Sequence, residues 1–361
     1  MSSSVWKSVY VRIVVGVLGV TLFSWPVFFT YNSESLPTYG LSLISPKPPA
    51  NCSRVGKDED ELIILIWMWP FGSKFGFSYA HYDITGCHLT TNKTLYSKAH
   101  AVMIHHRNIL LKTLPKEPRP YFQKWVWYNL ESPTNTRKSP ALNDLFNLTC
   151  SYRRDSDVLT PYGSLVPISE EDGLFTRVPM KERLVCWIVS NWNSRYKRIQ
   201  YYNELKKHIE IKTYGRAFGE YISNDKYIEI MTSCKFYLSF ENSIHKDYIT
   251  EKFFRPMEYG AVPVVLGPPR QNYEIHAPGH AFIHVDDFPS PKELAERLKH
   301  LDQHTDEYMD FFEWRNSFKA VSGRFGLEQT CRTCHYLKKQ KRYQVFRDLN
   351  KWFWDTNVTN P

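Results

Sequence analysis

The chain has 361 residues, of which 42% are hydrophobic and 16% aromatic, so it carries enough apolar side chain to fill two domain cores. Its formal net charge is +9, but lysine and arginine are spread along the chain without a basic tail or a recognisable nucleic-acid-binding module. We therefore expect a globular protein that has no nucleic-acid partner and binds an anionic small ligand.

The N-terminal region predicts a membrane anchor. Residues 13–31 carry no charge and are about long enough to cross a bilayer as a helix. Lys7 and Arg12 precede this run and no positive charge follows until Lys47, so the charge bias predicts a luminal body. A cleaved signal peptide is the alternative, but the run exceeds the usual apolar core of about 7 to 15 residues. The predicted order is a cytosolic tail (1–12), a transmembrane signal anchor (13–31) and a flexible stem (32–60).

Sequons and cysteines agree with a luminal body. The Asn-x-Ser/Thr pattern predicts N-glycosylation at Asn51, Asn92, Asn147 and Asn357. Seven cysteines in a luminal chain favour disulfides, and the odd number leaves at least one thiol unpaired or bonded to another chain. The Cys331-x-x-Cys334 pattern alone is weak evidence for zinc, because no second cysteine pair or histidine cluster accompanies it.

From residue 61 onward, short apolar runs alternate with stretches of helical length and amphipathic spacing. Continuous apolar runs are typical of parallel strands buried on both faces. The predicted strands are 62–69, 101–106, 125–130, 184–190, 209–215, 236–240, 261–267 and 281–285, and the predicted helices are 194–208, 247–260 and 290–303. A Gly, Pro and acidic stretch at 163–180 divides the strands into two groups. The pattern predicts an α/β protein with two parallel sheets, in domains 61–170 and 171–361, facing a ligand cleft.

Polar residues at the ends of three predicted strands are candidates for the site. Glu131 follows one strand, where a carboxylate can act as a general base, although a helix cap or a surface salt bridge is an open alternative. Residues 190–193 (SNWN) follow another strand and precede a helix with Arg198, an arrangement that suits a phosphate, although ordinary N-capping explains it equally well.

The third candidate follows strand 236–240. Glu241 and Asn242 end that strand, and a helix starting near Asp247 would place Tyr248, Glu251 and Lys252 on one face. A diphosphate and sugar hydroxyls require this mixture of cation, carboxylate, amide and phenol. An exposed, salt-bridged helix is the alternative.

Two further patterns resemble metal sites. Asp155-Ser156-Asp157 has the Asp-x-Asp form that holds a divalent metal in many sugar-nucleotide enzymes, but the preceding arginines can pair with these carboxylates. His105 and His106 end a predicted strand, where adjacent side chains point to opposite faces, so structural histidines are the better interpretation.

The motifs together resemble a known family. The stretches WMWPFG, FQKWVWYNLESPTNT, YRRDSD, LVCWIVSNWN, CKFYLSFENSIHKDYITEK and GAVPVVLGPPRQNY resemble the eukaryotic alpha-1,3-fucosyltransferases of glycosyltransferase family 10, and most of all the vertebrate type that forms Lewis x. The resemblance covers residues 62 to 355. It implies two Rossmann-like domains in the GT-B arrangement, a Golgi membrane location as a type II protein, and transfer of L-fucose from GDP-fucose to N-acetyllactosamine-type glycans of glycoproteins and glycolipids.

The resemblance also implies roles for individual residues. Glu131 resembles the catalytic base. The donor-binding positions are Tyr162, Ser190, Asn191, Arg198, Tyr237, Glu241, Asn242, Tyr248, Glu251 and Lys252. Family matching pairs Cys186 with Cys234 and Cys87 with Cys334, and it leaves Cys331 to bond Cys150, Cys52 or nothing. It implies no bound metal in the active site and no tightly bound cofactor, with GDP-fucose as donor substrate, and it leaves a homodimer open.

Three departures from the family pattern affect these expectations. Arg255-Pro256 replaces the usual Asn-Ala pair, and a proline inside the helix would remove a hydrogen bond from the carbonyl of Lys252. Ser73 replaces a glutamine that contacts the acceptor in close relatives, and the short segment 75–87 has Cys87 but lacks a further cysteine that the family usually pairs with Cys331-x-x-Cys334. A catalytically silent sugar-binding relative, acting as a lectin or chaperone, is therefore the alternative function.

Overall fold

The computed structural model describes residues 61–72, 74, 86–169, 178–340 and 342–355. Within these ranges no helix combines the length and the apolar character needed to cross a membrane. The predicted anchor (13–31), the predicted stem (32–60), the sequons at Asn51 and Asn357, and Ser73 all lie outside the described residues.

The strands form two parallel sheets and one small antiparallel ribbon. Their bounds are β1 Leu62–Ile66, β2 Cys87–Thr90, β3 Ala101–His105, β4 Lys124–Tyr128, β5 Leu148–Ser151, β6 Val158–Leu159, β7 Gly163–Pro167, β8 Arg183–Ile188, β9 Lys212–Tyr214, β10 Cys234–Phe240, β11 Val262–Leu266, β12 Ile283–His284 and β13 Phe318–Ser322. The first sheet has the order β2-β1-β3-β4-β5-β6 and the second β12-β11-β10-β8-β9. The prediction of a parallel α/β architecture is confirmed.

Burial explains why the central strands were recognisable. Every residue of β3, β4 and β11 is buried, as expected for strands covered on both faces. The predicted break at 163–180 is partly wrong, because Gly163–Pro167 forms β7, which pairs antiparallel with β13. Cross-strand hydrogen bonds with a segment far along the chain order these residues.

The helices cover the sheets. They are α1 Lys197–Leu205, α2 Asn224–Ser233, α3 Glu251–Tyr259, α4 Arg270–Glu274, α5 Pro291–Gln303, α6 Thr305–Asp310, α7 Leu327–Lys339 and α8 Leu349–Trp354. The start of α5 shows the local cause of such an element, since the Ser290 side chain accepts a hydrogen bond from the Lys292 amide and Pro291 occupies the first helical position. Leu294, Leu298 and Leu301 of α5 are fully buried in the core of the second sheet.

The C-terminal segment returns to the first sheet. Leu327 and Leu337 of α7 and Leu349 and Phe353 of α8 belong to the core of the first sheet. The predicted division into 61–170 and 171–361 stays a prediction, but its assignment of the C-terminal segment to the second domain does not match this packing. The sequence offered no signal for the return, because an amphipathic helix does not specify which sheet it covers.

Both predicted disulfides are present. Cys87 of β2 is bonded to Cys334 of α7, which fastens the returning segment to the first sheet, and Cys186 of β8 is bonded to Cys234 of β10. Cys331 is also disulfide-bonded, with a partner outside the described residues, whereas Cys150 is free and buried. A bond between Cys331 and Cys150 is therefore excluded, and Cys331-x-x-Cys334 is not a zinc site.

The two described sequons occupy different environments. Asn92 is exposed, and its side chain accepts hydrogen bonds from the Thr94 amide and hydroxyl. Asn147 is 0% exposed, and its amide accepts from the Trp125 amide at 2.7 Å and donates to the Gln344 carbonyl at 2.6 Å. Glycosylation stays a prediction at both sites, but the buried and hydrogen-bonded side chain of Asn147 does not favour a glycan there in this fold.

Candidate active site

Glu131 lies just beyond the carboxyl end of β4, where the sequence predicted a general base. Asn129 fixes the backbone there, because its side-chain oxygen accepts from the Glu131 amide at 3.3 Å and its nitrogen donates to the Glu131 carbonyl at 3.2 Å. The Glu131 side chain is buried, yet its Oε2 atom has no hydrogen-bond partner. A buried, unpaired carboxylate oxygen is costly, which favours a role in function over a structural role.

The electrostatic surroundings of Glu131 set its affinity for a proton. Burial raises its pKa from 4.5 to about 7, while the charges of Lys252 and Arg107 lower it and those of Glu251 and Glu241 raise it. A carboxyl group with a pKa near neutrality can hold or release a proton at physiological pH. This is the property that a general base requires, and a surface salt bridge or a helix cap would not produce it.

The donor-site candidates at the end of β10 form a network around Lys252. The Glu241 carboxylate is 2% exposed, accepts from the Thr250 amide at 2.8 Å, and lies 3.3 Å from the Lys252 Nζ atom. Lys252 Nζ also lies 3.1 Å from Glu251 Oε1. Burial alone would lower the pKa of Lys252, but the charges of Glu241 and Glu251 outweigh it and raise that pKa. Lys252 is therefore a fixed cation at the start of α3.

The predicted start of this helix is wrong. Helix α3 begins at Glu251, with the Thr250 side chain as its N-cap, and not near Asp247. Tyr248 therefore does not share a helix face with Glu251 and Lys252. Its ring packs in the core of the first sheet, with centroids 5.1 Å from Tyr152 and 6.4 Å from Tyr162.

Tyr162 connects this aromatic group to the backbone beside Glu131. Its hydroxyl donates to the carbonyl of Leu130, the residue before Glu131. Burial raises its pKa well above the usual value, with Tyr248 and Glu131 acting in the same direction, so the phenol stays protonated. Tyr162 and Tyr248, predicted separately from sequence, lie together beside Glu131.

The candidates after β8 supply a second cation. Arg198 of α1 is 5% exposed; its Nη2 atom donates to the carbonyl of Asn191, and its Nε atom has no partner. Burial lowers the pKa of Arg198, while the nearby Glu241 carboxylate raises it. Ser190 and Asn191 follow the end of β8, and Asn191 is exposed. A buried guanidinium with a free donor is suited to an anionic ligand.

Tyr237 and Asn242 complete the predicted donor set. Tyr237 lies on β10, is 4% exposed, and has a pKa raised by burial, with Glu251 and Arg198 among its electrostatic neighbours. The side-chain oxygen of Asn242 accepts from the Ser243 hydroxyl at 3.1 Å. The structure thus brings the predicted residues after β8 and β10 to the carboxyl ends of adjacent strands in the second sheet.

Contacts between the two sheets involve residues that the sequence did not single out. The hydroxyls of Ser243 and Ser132 are hydrogen-bonded to each other at 2.7 Å, and His245 Nε2 lies 2.7 Å from Thr134 Oγ1. Asp247, at a positive φ of 60°, accepts from the amide of Arg154 at 3.2 Å. No sequence signal predicts such pairs, since the residues are 93 to 111 positions apart.

The patterns that resembled metal sites serve structural roles. Asp155 pairs with Arg153 at 2.6 Å, and Asp157 accepts from the Thr149 amide at 2.8 Å and from Gln344 at 2.7 Å. These carboxylates are engaged by protein donors, so their chemistry does not fit a metal site. His105 contacts Asn108 at 2.7 Å, and both His105 and His106 are buried, as expected of structural histidines.

The unusual pair Arg255-Pro256 does not interrupt the helix. Helix α3 runs from Glu251 to Tyr259 with Pro256 inside it. The Arg255 guanidinium lies over the Tyr227 ring at 5.2 Å. The first turn of α3, which carries Glu251 and Lys252, precedes the proline and is held by Thr250.

Two family models match the chain along most of its length. The model of the N-terminal fucosyltransferase domain matches residues 59–163, and that of the C-terminal domain of glycosyltransferase family 10 (fucosyltransferase) matches residues 178–352.

Curated relatives agree with these matches. The chain is 52% identical over 300 residues to 4-galactosyl-N-acetylglucosaminide 3-alpha-L-fucosyltransferase 9 of Mus musculus and to that of Homo sapiens, covering 82% of this chain and 83% of each relative. It is 40% identical over 347 residues to 3-galactosyl-N-acetylglucosaminide 4-alpha-L-fucosyltransferase FUT3 of Pan troglodytes, covering 90% of this chain and 92% of that protein.

The fold resembles that of a solved enzyme. The crystal structure of an alpha1,3-fucosyltransferase with GDP superposes with a TM-score of 0.53 at 16% identity, covering 82% of this chain and 96% of that one. A related structure with GDP-fucose gives a TM-score of 0.52 at 17% identity, covering 85% and 93%. The family models and the curated relatives agree, and the chain belongs to the alpha-1,3-fucosyltransferases of glycosyltransferase family 10.

Proposed function

We propose that the chain transfers L-fucose from GDP-fucose to O3 of N-acetylglucosamine in Gal-beta-1,4-GlcNAc termini of glycoproteins and glycolipids, giving Lewis x or sialyl Lewis x type products. The observation that carries this proposal is Glu131, a buried carboxyl group with a pKa of about 7 and an oxygen without a partner. The names of the 52% identical relatives support the acceptor, and the crystal structures with GDP and GDP-fucose support the donor.

The reaction is a single displacement. The acceptor O3 forms a bond to the anomeric carbon of fucose while the bond from that carbon to the phosphate oxygen breaks, and GDP leaves with the bonding electrons. Glu131 accepts the proton of the acceptor hydroxyl through Oε2. Since donor fucose is beta-linked and product fucose alpha-linked, the base acts on the face opposite the leaving group, as in other inverting glycosyl chemistry.

The leaving diphosphate gains negative charge as the bond breaks. Arg198 offers an unpaired Nε donor, and Lys252 is held as a cation by Glu241 and Glu251. Fixed positive groups at the place where charge develops stabilise a transition state more than flexible ones do. The chain's own side chains therefore supply the charge stabilisation that this step requires.

We further propose that the enzyme resides in the Golgi membrane as a single-pass type II protein, anchored by residues 13–31 with the catalytic body in the lumen. The lack of charge in that segment and the positive residues before it support this location. The two parallel sheets support the GT-B arrangement around a cleft. Microscopy of the tagged full chain beside a Golgi marker tests the location, and cytosolic staining would overturn it.

A pair of isomeric acceptors tests the linkage. Gal-beta-1,4-GlcNAc has a free O3, whereas in Gal-beta-1,3-GlcNAc galactose blocks O3 and leaves O4 free. We expect fucose transfer to the first acceptor only, with an alpha linkage at O3 by NMR, and a parallel assay with the sialylated first acceptor defines the product type. Fucose on O4 would overturn the proposed linkage. Donor binding without acceptor-dependent GDP release would favour the silent sugar-binding alternative.

A further inference from the structure

A cluster outside the active site joins the end of α5 to the start of α6. Its members are His300, His304 and Glu307, and the ligand atoms that they offer all lie within 4.8 Å of one another. His300 Nε2 lies 2.8 Å from Glu307 Oε1, and the two imidazole rings stack with centroids 3.8 Å apart. The side chains of His300 and Glu307 are each 42% exposed, so a solvated ion can reach them.

The hydrogen bonds around the cluster leave coordinating atoms available. His304 Nδ1 lies 2.7 Å from the carbonyl oxygen of His300. A carbonyl oxygen only accepts, so Nδ1 carries the proton and Nε2 of the neutral ring keeps its lone pair. A backbone acceptor on the second ring nitrogen is the usual support of a metal-binding histidine.

The carboxylate is oriented in a similar way. Arg297 Nη1 lies 2.7 Å from Glu307 Oε2, which leaves Oε1 directed at His300. Hydrogen bonds to the non-coordinating oxygen are typical of carboxylate ligands. Arg297 belongs to α5, so the supporting contact and one histidine come from the same helix, and the carboxylate comes from α6.

We propose that His300, His304 and Glu307 bind one divalent transition-metal ion, with Zn²⁺ as the preferred ion. Two imidazoles and a carboxylate suit zinc, whereas calcium and magnesium require oxygen ligands. Three protein ligands, each bonded to zinc at about 2.0 to 2.2 Å, leave the fourth tetrahedral position to water. The ion replaces the proton shared between His300 and Glu307 and links α5 to α6, both of which pack in the core of the second sheet.

Zinc titration of the full chain tests this site without reference to catalysis. The protein is prepared without a polyhistidine tag, freed of metal with EDTA, and titrated with ZnCl₂ by calorimetry. We expect one equivalent to bind and the thermal unfolding temperature to rise with zinc, because a ligand that binds the folded state stabilises it. Co²⁺ in the same site should show the visible absorption of a four-coordinate ion.

Two variants and one control locate the binding. His304→Asn keeps a side-chain donor for the His300 carbonyl but removes the ring ligand. We expect His304→Asn and Glu307→Gln each to weaken zinc binding by at least about tenfold. His280→Ala removes an exposed histidine outside the cluster and should bind zinc normally. The site is refuted if the parent chain binds no equivalent of zinc. It is also refuted if His304→Asn binds zinc as tightly as the parent while its unfolding temperature in EDTA equals that of the parent.

Discussion

Replacing Glu131 by Gln tests both the chemistry and the electrostatics of the site. The change keeps the size of the side chain and removes the proton acceptor. Turnover should fall by about 10² to 10⁴-fold, the usual contribution of a positioned base. Donor binding should hardly change, because Glu131 acts on the acceptor hydroxyl and not on GDP.

The pH profile gives a second readout. Burial raises the pKa of Glu131 to about 7, so the carboxylate that accepts the proton is lost as the pH falls below neutrality. The value of kcat/KM reports ionisation in the free enzyme, and it should therefore decline on the acid side of pH 7. This acid limb should be absent from the residual activity of Glu131→Gln.

The same pKa predicts an effect on stability. Between pH 4.5 and about 7 the folded chain holds a proton on Glu131 that the unfolded chain releases. The stability from this group is fully present below pH 4.5 and is lost as the pH rises through 7. The full difference corresponds to about 3 kcal/mol, most of which is lost between pH 5 and pH 8. Gln does not ionise, so the stability of the variant relative to the parent should rise by about 2 to 3 kcal/mol over that range.

Denaturant unfolding at pH 5 and pH 8, with activity profiles, checks both effects. Glu258→Gln is a matched control, because burial also raises the pKa of Glu258 but its carboxylate is bonded to Ser322 of β13. The control should keep its acid limb. Near-normal turnover of folded Glu131→Gln, or a stability difference from the parent that stays constant with pH, would refute our assignment of the base.

Three further predictions concern the donor side. Arg198→Gln should weaken GDP binding by about 10 to 100-fold in calorimetry, because a charge-assisted hydrogen bond contributes about 1.5 to 3 kcal/mol; Arg195→Gln, on the exposed face, should not. Removing the Cys186–Cys234 bridge in a variant with serine at both positions should lower the unfolding free energy by about 2 to 4 kcal/mol. Peptide mapping of the parent chain under non-reducing conditions should find neither cysteine alkylated. Pro256→Ala should leave GDP affinity unchanged, because Glu251 and Lys252 precede the proline; tighter binding would show that Pro256 distorts the donor site.

The central strands were predictable because a physical rule connects their sequence with their position. Strands covered on both faces need apolar side chains at successive positions, and β3, β10 and β11 have them. Edge strands lack this constraint. The two-residue β6 carries too short a pattern to be recognised, and the pairing of β7 with β13 depends on a partner far along the chain.

Site residues were predictable where one side chain carries the chemistry. Glu131 at a strand end is such a case: the sequence predicts a general base there, and the structure places a buried carboxyl group with an unpartnered oxygen at that position. The start of α3 was mispredicted because Asp247 has the side chain of a good helix cap but uses it elsewhere, accepting from the Arg154 amide and from Asn272 at 2.8 Å. Tertiary contacts override a local capping preference, and a single sequence does not reveal those contacts.

The missed contacts also bear on how the reaction is aligned. Ser132 directly follows Glu131, the proposed base, and Ser243 directly follows Asn242, a proposed donor-binding residue. The hydrogen bond between the two serine hydroxyls therefore joins the two parts of the proposed site. A displacement needs its reacting atoms about 3 to 3.5 Å apart, so the base and the donor must be held in register across two sheets. The loop after β10 contacts the first sheet through Ser243, His245 and Asp247, and it leads directly into Glu251 and Lys252. One segment thus carries Lys252, the proposed donor-site cation, and also sets its distance from the proposed base Glu131, which gives small polar residues on this loop a role that their individual chemistry does not indicate.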